Sequence, residues 1–454
     1  MRDFTSGSAT KQILLFSLPM LIGNVFQQFY SMVDAIVVGN YVSPHALASV
    51  GVAMNVLQFM LAALIGLTTG ASVIISQFYG AKQLDRLART VSTSAMFLAG
   101  LSVLLAVLGV ALTPAILRLL NTDPLLFDDA ALYLRILMGG TVFPVFYNMY
   151  TAYLRALGDS RNPLYILICC TVLNTGLDLL FVLVFRLGVL GVAVATVIAQ
   201  AVSALLCWGY VHKRVALLRI KKFVFDFALF RAVLKYGFPA ALQLSLVSLA
   251  NLTITRLINS FGPDAMSGIT AAVKVDQLAI MPVSTFSLAL ASFVAQNMGA
   301  GQEARARKGF RSSLLFMVAL AVCISGLLIL FGPQLISLFL DKNEAGTAEI
   351  LEVGINYLNI MVVFYFLFAF LFAFNGFFRG AGDAVIAMVF PVVSLTVRTV
   401  SAHMLVSWAG MRTEALAWSI PIGWGLSSLA SFVYYRKRLW AGKTVSNEKL
   451  TIDN

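Results

Sequence analysis

The sequence predicts an all-α polytopic membrane protein, with twelve transmembrane helices in two six-helix bundles related by a pseudo-two-fold axis along the membrane normal. Three observations carry this expectation. The 454 residues are 60% hydrophobic and only 11% charged, with a mean hydropathy of +0.89, whereas an ordinary soluble domain is about 45–50% apolar and about 25% charged. The apolar runs reach the roughly 20 residues of a helical crossing and far exceed the roughly 9–11 of an outer-membrane strand. The chain also repeats itself once at six-span spacing.

Taken in order, runs of apolar residues between Gly, Pro or charged breaks place spans near 11–39, 46–79, 91–113, 130–155, 162–185, 188–211, 232–260, 266–298, 311–340, 350–378, 384–408 and 414–435. The first run follows the short polar stretch MRDFTSGSAT, is longer than a signal-peptide core, and ends without an A-x-A-like site. It is therefore expected to be an uncleaved first span.

The distribution of Lys and Arg sets the orientation. If the N-terminus is cytoplasmic, 24 of the 32 Lys and Arg fall on the cytoplasmic side, and five (Arg118, Arg135, Arg186, Lys342 and Arg412) fall outside. This bias predicts a multi-pass protein of a bacterial-type plasma membrane with both termini in the cytoplasm. The net charge of +12 is read as this topological signal, so no nucleic-acid partner is expected.

Sliding the chain on itself aligns NYVSPHALA (40–48) with NSFGPDAMS (259–267). At the same offset of 219, Gln77, Gly80, Ala81 and Gln83 fall on the identical residues Gln296, Gly299, Ala300 and Gln302. Further on, 133–160 lies on 357–384 at an offset of 224, which implies a five-residue insertion near 341–349. Because each half holds an even number of spans, the halves share one orientation, as in transporters built around a central cavity. The expected domains are an N-terminal bundle (1–211), a basic cytoplasmic linker (212–231) and a C-terminal bundle with a short basic tail (232–454).

Motif content narrows the chemistry. No complete phosphate-binding loop, HExxH, Cys/His metal spacing or nucleophile elbow occurs, so neither catalysis nor a metal or organic cofactor is expected, and any pumping should draw on an ion gradient. Cys169, Cys170, Cys207 and Cys323 all lie within apolar runs and suit packing. What remains is six ionisable residues inside spans: Asp34, Asp178, Arg256, Lys274, Asp276 and Arg398. Each costs about 2.5–3.5 kcal/mol on insertion scales unless paired or hydrated, which makes a functional role the default reading.

Asp34 lies about 8 Å and Asp178 about 12 Å from the outer ends of their helices, at about 1.5 Å per residue. Asn174, four residues before Asp178, shares its helical face. Two carboxylates converging in a low-dielectric pocket cannot both be ionised cheaply, which is the physical requirement for loading and unloading a proton. The bland alternative has Asp34 snorkelling outward and Asp178 in a structural hydrogen bond. At the repeat offsets Asp34 falls on Thr253, Asp178 on Ala402 and Asn174 on Arg398, so the acidic pair exists in one half only. In the second half, Lys274 and Asp276 are two residues apart and cannot face each other. An Asp276–Arg398 or Asp276–Lys274 bridge competes there with a cavity wall, formed with Arg256, that contacts substrate. Pro19 removes a backbone hydrogen bond about two turns into the first span and allows a hinge.

FSLPMLIGN and VDAIVVG in the first span, QFYGAK after the second, LRALGDSRNP after the fourth, LNTGLD in the fifth, GVAVAT in the sixth, and AQNMGAG and FFRGAGD in the second half together resemble the multidrug and toxic compound extrusion (MATE) transporters along nearly the whole chain. The resemblance implies a V-shaped twelve-helix antiporter exporting drugs or metabolites in exchange for H+ or Na+. It also implies an N-lobe ion site to which Asp34, Asn174, Asp178 and Thr196 correspond, with Gln27 as a neighbour, and a kinked first-span proline that corresponds to Pro19. Where the sodium-coupled branch carries acids in spans seven and ten, LQLSLVSLANL and FLFAFLFAFNGFF have no carboxylate. H+ is therefore favoured as the coupling ion, with Na+ as the alternative. The expected partners are small organic substrates and the lipid bilayer, and the expected state is a monomer. The rival expectation is a flippase for an anionic lipid-linked precursor.

Overall fold

A computed structural model describes residues 2–340 and 346–445. Lys342, most of the insertion expected near 341–349 and the end of the basic tail lie outside the described residues. Fourteen α-helices are present among those described: α1 (Ala9–Tyr41), α2 (Pro44–Gly80), α3 (Leu84–Leu119), α4 (Pro124–Gly139), α5 (Val142–Ala156), α6 (Arg161–Leu179), α7 (Gly188–Arg214), α8 (Phe227–Asn259), α9 (Pro263–Gly299), α10 (Glu303–Ser337), α11 (Thr347–Val363), α12 (Tyr365–Ala381), α13 (Ala384–Ser407) and α14 (Thr413–Arg436). Ten are long and apolar enough to cross a membrane singly. The bent pairs α4–α5 (51°) and α11–α12 (54°), counted as one crossing each, bring the total to twelve.

The spans expected as continuous over 130–155 and 350–378 are thus each broken once. At the first break, Gly139 and Gly140 weaken the helix, and a Cβ on Gly140 would sit 2.8 Å from Val197 of α7. The close approach there requires glycine. The second break, at Phe364, has neither Gly nor Pro. Starts are conventional where capping residues permit: the Ser43 side chain accepts from Ala46 N at 3.0 Å ahead of α2, and Asp123 accepts from Leu125 N at 2.8 Å ahead of α4. In both cases Pro takes the first helical position.

The helices pack as two compact units. The first is built on Leu18–Ala241. Its core joins Val37 and Val38 of α1 and Ala53 of α2 to Tyr133 and Leu134 of α4 and Val192 of α7. It keeps the first turns of α8, because small residues on α2 and α8 let the backbones meet: a Cβ on Gly70 would collide with the Gly237 backbone.

The second unit comprises Phe4–Ser17 and, among the described residues, the chain from Leu242 to Val445. Phe4 is fully buried between Phe16 and Phe293, at centroid distances of 5.0 and 5.8 Å. Arg305 of α10 donates to the Phe4, Gly7 and Ser6 carbonyls at 2.9, 2.7 and 2.5 Å. Burying such a ring is worth about 1.5–3 kcal/mol, which explains why the lead-in to α1 groups with this unit. Trp440, beyond α14, is likewise buried against Tyr435 and Phe377, at 5.9 and 4.8 Å. Packing therefore divides the chain inside α1 and α8 instead of at the 212–231 linker.

The repeat read in the sequence is visible in the elements. α1 and α8 have 33 residues each, α2 and α9 have 37 each, and α3 and α10 have 36 and 35. It extends to side chains: Tyr210 donates to Asp159 Oδ2 at 3.0 Å, and Tyr434, 224 positions later, donates to Asp383 Oδ2 at 2.6 Å.

Candidate functional site: a buried carboxylate pair

The first unit brings Asp34, Asn174, Asp178 and Thr196 together. Asp34 projects from α1 and is half-buried, while Asn174 and Asp178, one turn apart on α6, are both 0% exposed. The Asn174 carboxamide, oriented by its surroundings of acceptors, donates to Asp34 Oδ1 at 3.0 Å and to Asp178 Oδ2 at 3.1 Å. One amide therefore ties two helices through two acids. Immediately after Asp178 the helix loosens into a π-turn, Leu180–Val184, a distortion that recurs at functional sites.

The pair is short of donors. Asp178 Oδ1 is buried with no hydrogen-bond partner, as is Thr196 Oγ1 on α7. The hydroxyls of Tyr30 and Tyr133 lie near Thr196 and the acids, but they do not complete a bond of ordinary geometry to Thr196. Two ionised carboxylates in contact inside a protein repel strongly, and an ionised carboxylate offers only acceptors. A proton on one of them removes the repulsion and supplies the missing donor. What the arrangement can do chemically is take up and release a proton.

Tyr30 and Tyr133 were not among the expected site residues. Tyr30 stands four residues before Asp34, on the same helical face, so spacing alone could have found it. Tyr133 comes from α4 and is 2% exposed, and only the tertiary fold places it. Gln27 sits on α1 but is exposed, and among the described residues its side chain makes no hydrogen bond to the cluster. α1 runs as one helix through Pro19, two residues beyond the point where the packing units divide.

The four expected cavity residues of the second half do not form one group. Asp276 of α9 is buried and accepts a 2.6 Å hydrogen bond from Tyr365 Oη of α12. Arg398 of α13 faces Asp276 and Tyr357, yet its Nε has no partner, and among the described residues no ion pair joins Asp276 to Arg398 or Lys274. Both bridges weighed from the sequence are thus absent, because Tyr365 takes the carboxylate. Lys274 is exposed, with its ammonium 5.4 Å from the Phe339 ring centre. Arg256 is exposed in the last turn of α8, where a cation suits the helix dipole. At the repeat offset, Tyr357 and Arg398 stand where Tyr133 and Asn174 stand in the first unit.

Comparison with known proteins bears on the family and the fold. The MatE family model matches twice, over residues 19–180 and 239–404, one match in each half of the repeat. The chain is 31% identical to the probable multidrug resistance protein YpnP of Bacillus subtilis, covering 98% of this chain and 99% of that one. It is 29% identical to the probable multidrug resistance protein YoeA of the same organism, covering 97% and 96%. Its fold matches the solved outward-facing structure of a multidrug resistance MATE family transporter of the MOP superfamily with a TM-score of 0.89, at 23% identity, over 96% of this chain and 97% of that one.

Proposed function

Since the chain belongs to the MatE family of membrane transporters, we propose that it is a secondary active efflux antiporter that exports amphipathic organic compounds in exchange for H+. The observation that carries this reading is the Asp34–Asn174–Asp178 cluster, in which two carboxylates share one amide and one buried carboxylate oxygen has no partner. A proton taken up from outside by one of the acids removes the repulsion between them and changes the hydrogen bonds between α1 and α6. Substrate that binds the deprotonated form better is then released, because a ligand can drive a transition only through its differential affinity for the two states. Pro19 is the point at which α1 flexes. The protein is proposed to act as a monomer in the plasma membrane with both termini cytoplasmic, its two packing units serving as the moving halves.

Dye efflux from proteoliposomes under separately imposed H+ and Na+ gradients tests the coupling ion. A pH gradient alone should drive transport, and Asp34→Asn and Asp178→Asn should each abolish it. Transport driven only by Na+ would instead make the cluster a sodium site. The rival reading, a flippase for an anionic lipid-linked precursor, requires Arg256, Lys274 and Arg398 to be essential and cationic dyes to be refused. Among the described residues neither Lys274 nor Arg256 is joined to Asp276 by an ion pair, so the three cations form no common anion site with it.

A further inference from the structure

A cavity of about 900 Å³ opens on the first unit, far along the helices from the carboxylate pair. Its volume is at the upper end of the roughly 300–1,000 Å³ of small-ligand pockets. Met96 and Ala99 of α3, Phe143 and Phe146 of α5, and Leu205 and Trp208 of α7 form its walls. The segment after α7 closes one end with Arg219, Ile220 and Phe223, beside His212. Leu205 (63% exposed) and Phe223 (78%) stand at its lip, so the groove opens sideways onto whatever surrounds the helices.

The closed end is cationic. Arg219 Nη2 donates to the His212 carbonyl, while its Nε is buried with no partner. The His212 ring stacks on Trp208 at 5.4 Å and 23°. Lys213, Arg214, Lys221 and Lys222 are all exposed alongside. Among the described residues no ion pair neutralises them: the one acid between 212 and 235 is Asp226, and it is engaged by Arg89 at 3.9 Å and by Leu229 N at 3.1 Å. Asp159, the next acid along, already accepts from Tyr210 and Asn162.

We propose that this groove is a binding site for an anionic phospholipid from the leaflet at the basic face. An acyl chain lies along Met96, Phe146 and Leu205, and the phosphate is held by Arg219 and His212. Apolar walls open to the bilayer, together with an uncompensated cationic end at the depth of the headgroups, complement such a lipid, and basic residues near a membrane surface attract anionic headgroups. Occupancy would also pin the 216–223 segment, which forms one wall of the groove and leads into α8.

Native mass spectrometry of the full chain, with phosphatidylglycerol or phosphatidylcholine added at equal concentration, tests the site. Wild type should retain phosphatidylglycerol preferentially. Arg219→Gln should weaken that retention about fivefold, or about 1 kcal/mol at 1.4 kcal/mol per factor of ten, and leave phosphatidylcholine unchanged. Arg219→Lys should keep most of the preference, and Ala99→Phe, which fills the groove without touching charge, should reduce retention of both lipids. Equal retention of the two lipids by wild type, or an unchanged preference in Arg219→Gln, overturns the proposal. So does displacement of bound phosphatidylglycerol by ethidium, which would make the groove an entry route for transported cations.

Discussion

Asp34 on α1 and Asp178 on α6 are held by a single amide, with Asn174 Nδ2 at 3.0 and 3.1 Å from their oxygens. The acids come from helices far apart in sequence, so the state of one bond pair reports on, and can alter, how two membrane helices meet. Hydrogen bonds to charged groups are worth about 1.5–3 kcal/mol each, roughly twice a neutral bond, enough to bias a two-state helix packing by one to two orders of magnitude.

Asn174→Ala should lower the thermal midpoint of the detergent-solubilised protein, and more at pH 8 than at pH 5. The amide stabilises carboxylates by donating to them, and a protonated pair can supply its own donor. Thermal melts at the two pH values check this, and an equal drop at both would mean the amide is merely packing.

Tyr365→Phe should cost about 1–3 kcal/mol, because it leaves the buried Asp276 carboxylate without the 2.6 Å donor it now has. In the background of Asp276→Leu the same substitution should cost much less. A coupling energy above about 0.5 kcal/mol in the double-mutant cycle is expected for groups in direct contact, and additive effects would contradict the contact.

Gly376 and Gly380 let α12 lie against α9: an added Cβ would sit 2.5 Å from the Ser287 and Ala291 carbonyl oxygens, respectively. Gly380→Leu should therefore destabilise the second unit by about 1–3 kcal/mol or prevent its folding, as overpacking does. Gly209→Ala, where nothing lies within 4 Å, should be neutral or mildly stabilising through helix propensity. Purification yield and melting temperature read both.

Lys443, beyond the last helix, bonds Asp383 Oδ2 at 2.8 Å and Tyr434 Oη at 2.9 Å. Burial alone would lower its pKa, but the bonds to Asp383 and Tyr434 outweigh this and raise it. A group whose folded pKa is raised stabilises fully below its unfolded value, near 10.4, and loses that contribution only as pH climbs through the folded one. The tail contact should therefore be insensitive to pH between 5 and 9. Lys443→Met should loosen residues 437–445, read as faster amide hydrogen exchange there with little change in the helices.

The count of spans, the repeat and the acidic pair were legible because each rests on local composition or helical spacing: an aspartate among apolar residues is conspicuous, and Asn174 lies one turn from Asp178. Thr196 was reached only through resemblance to a family, since a threonine in an apolar helix carries no signal of its own. The break at Phe364 left no trace, lacking Gly or Pro. The loss of the Asp276 bridges to Tyr365 was invisible too, because partner choice is decided by which helices meet and not by charge along the chain. Gln27 shows the converse: correct spacing from Asp34 along the helix, but a side chain left exposed.

The claim that Asp34 and Asp178 exchange protons against substrate is tested most directly by proton release. Ethidium added to lightly buffered, detergent-solubilised protein, with a pH-sensitive dye as reporter, should release protons from wild type near neutral pH. Asp34→Asn and Asp178→Asn, confirmed as folded by thermal melting, should release none while still binding ethidium. Wild-type proton release from either variant would contradict the account.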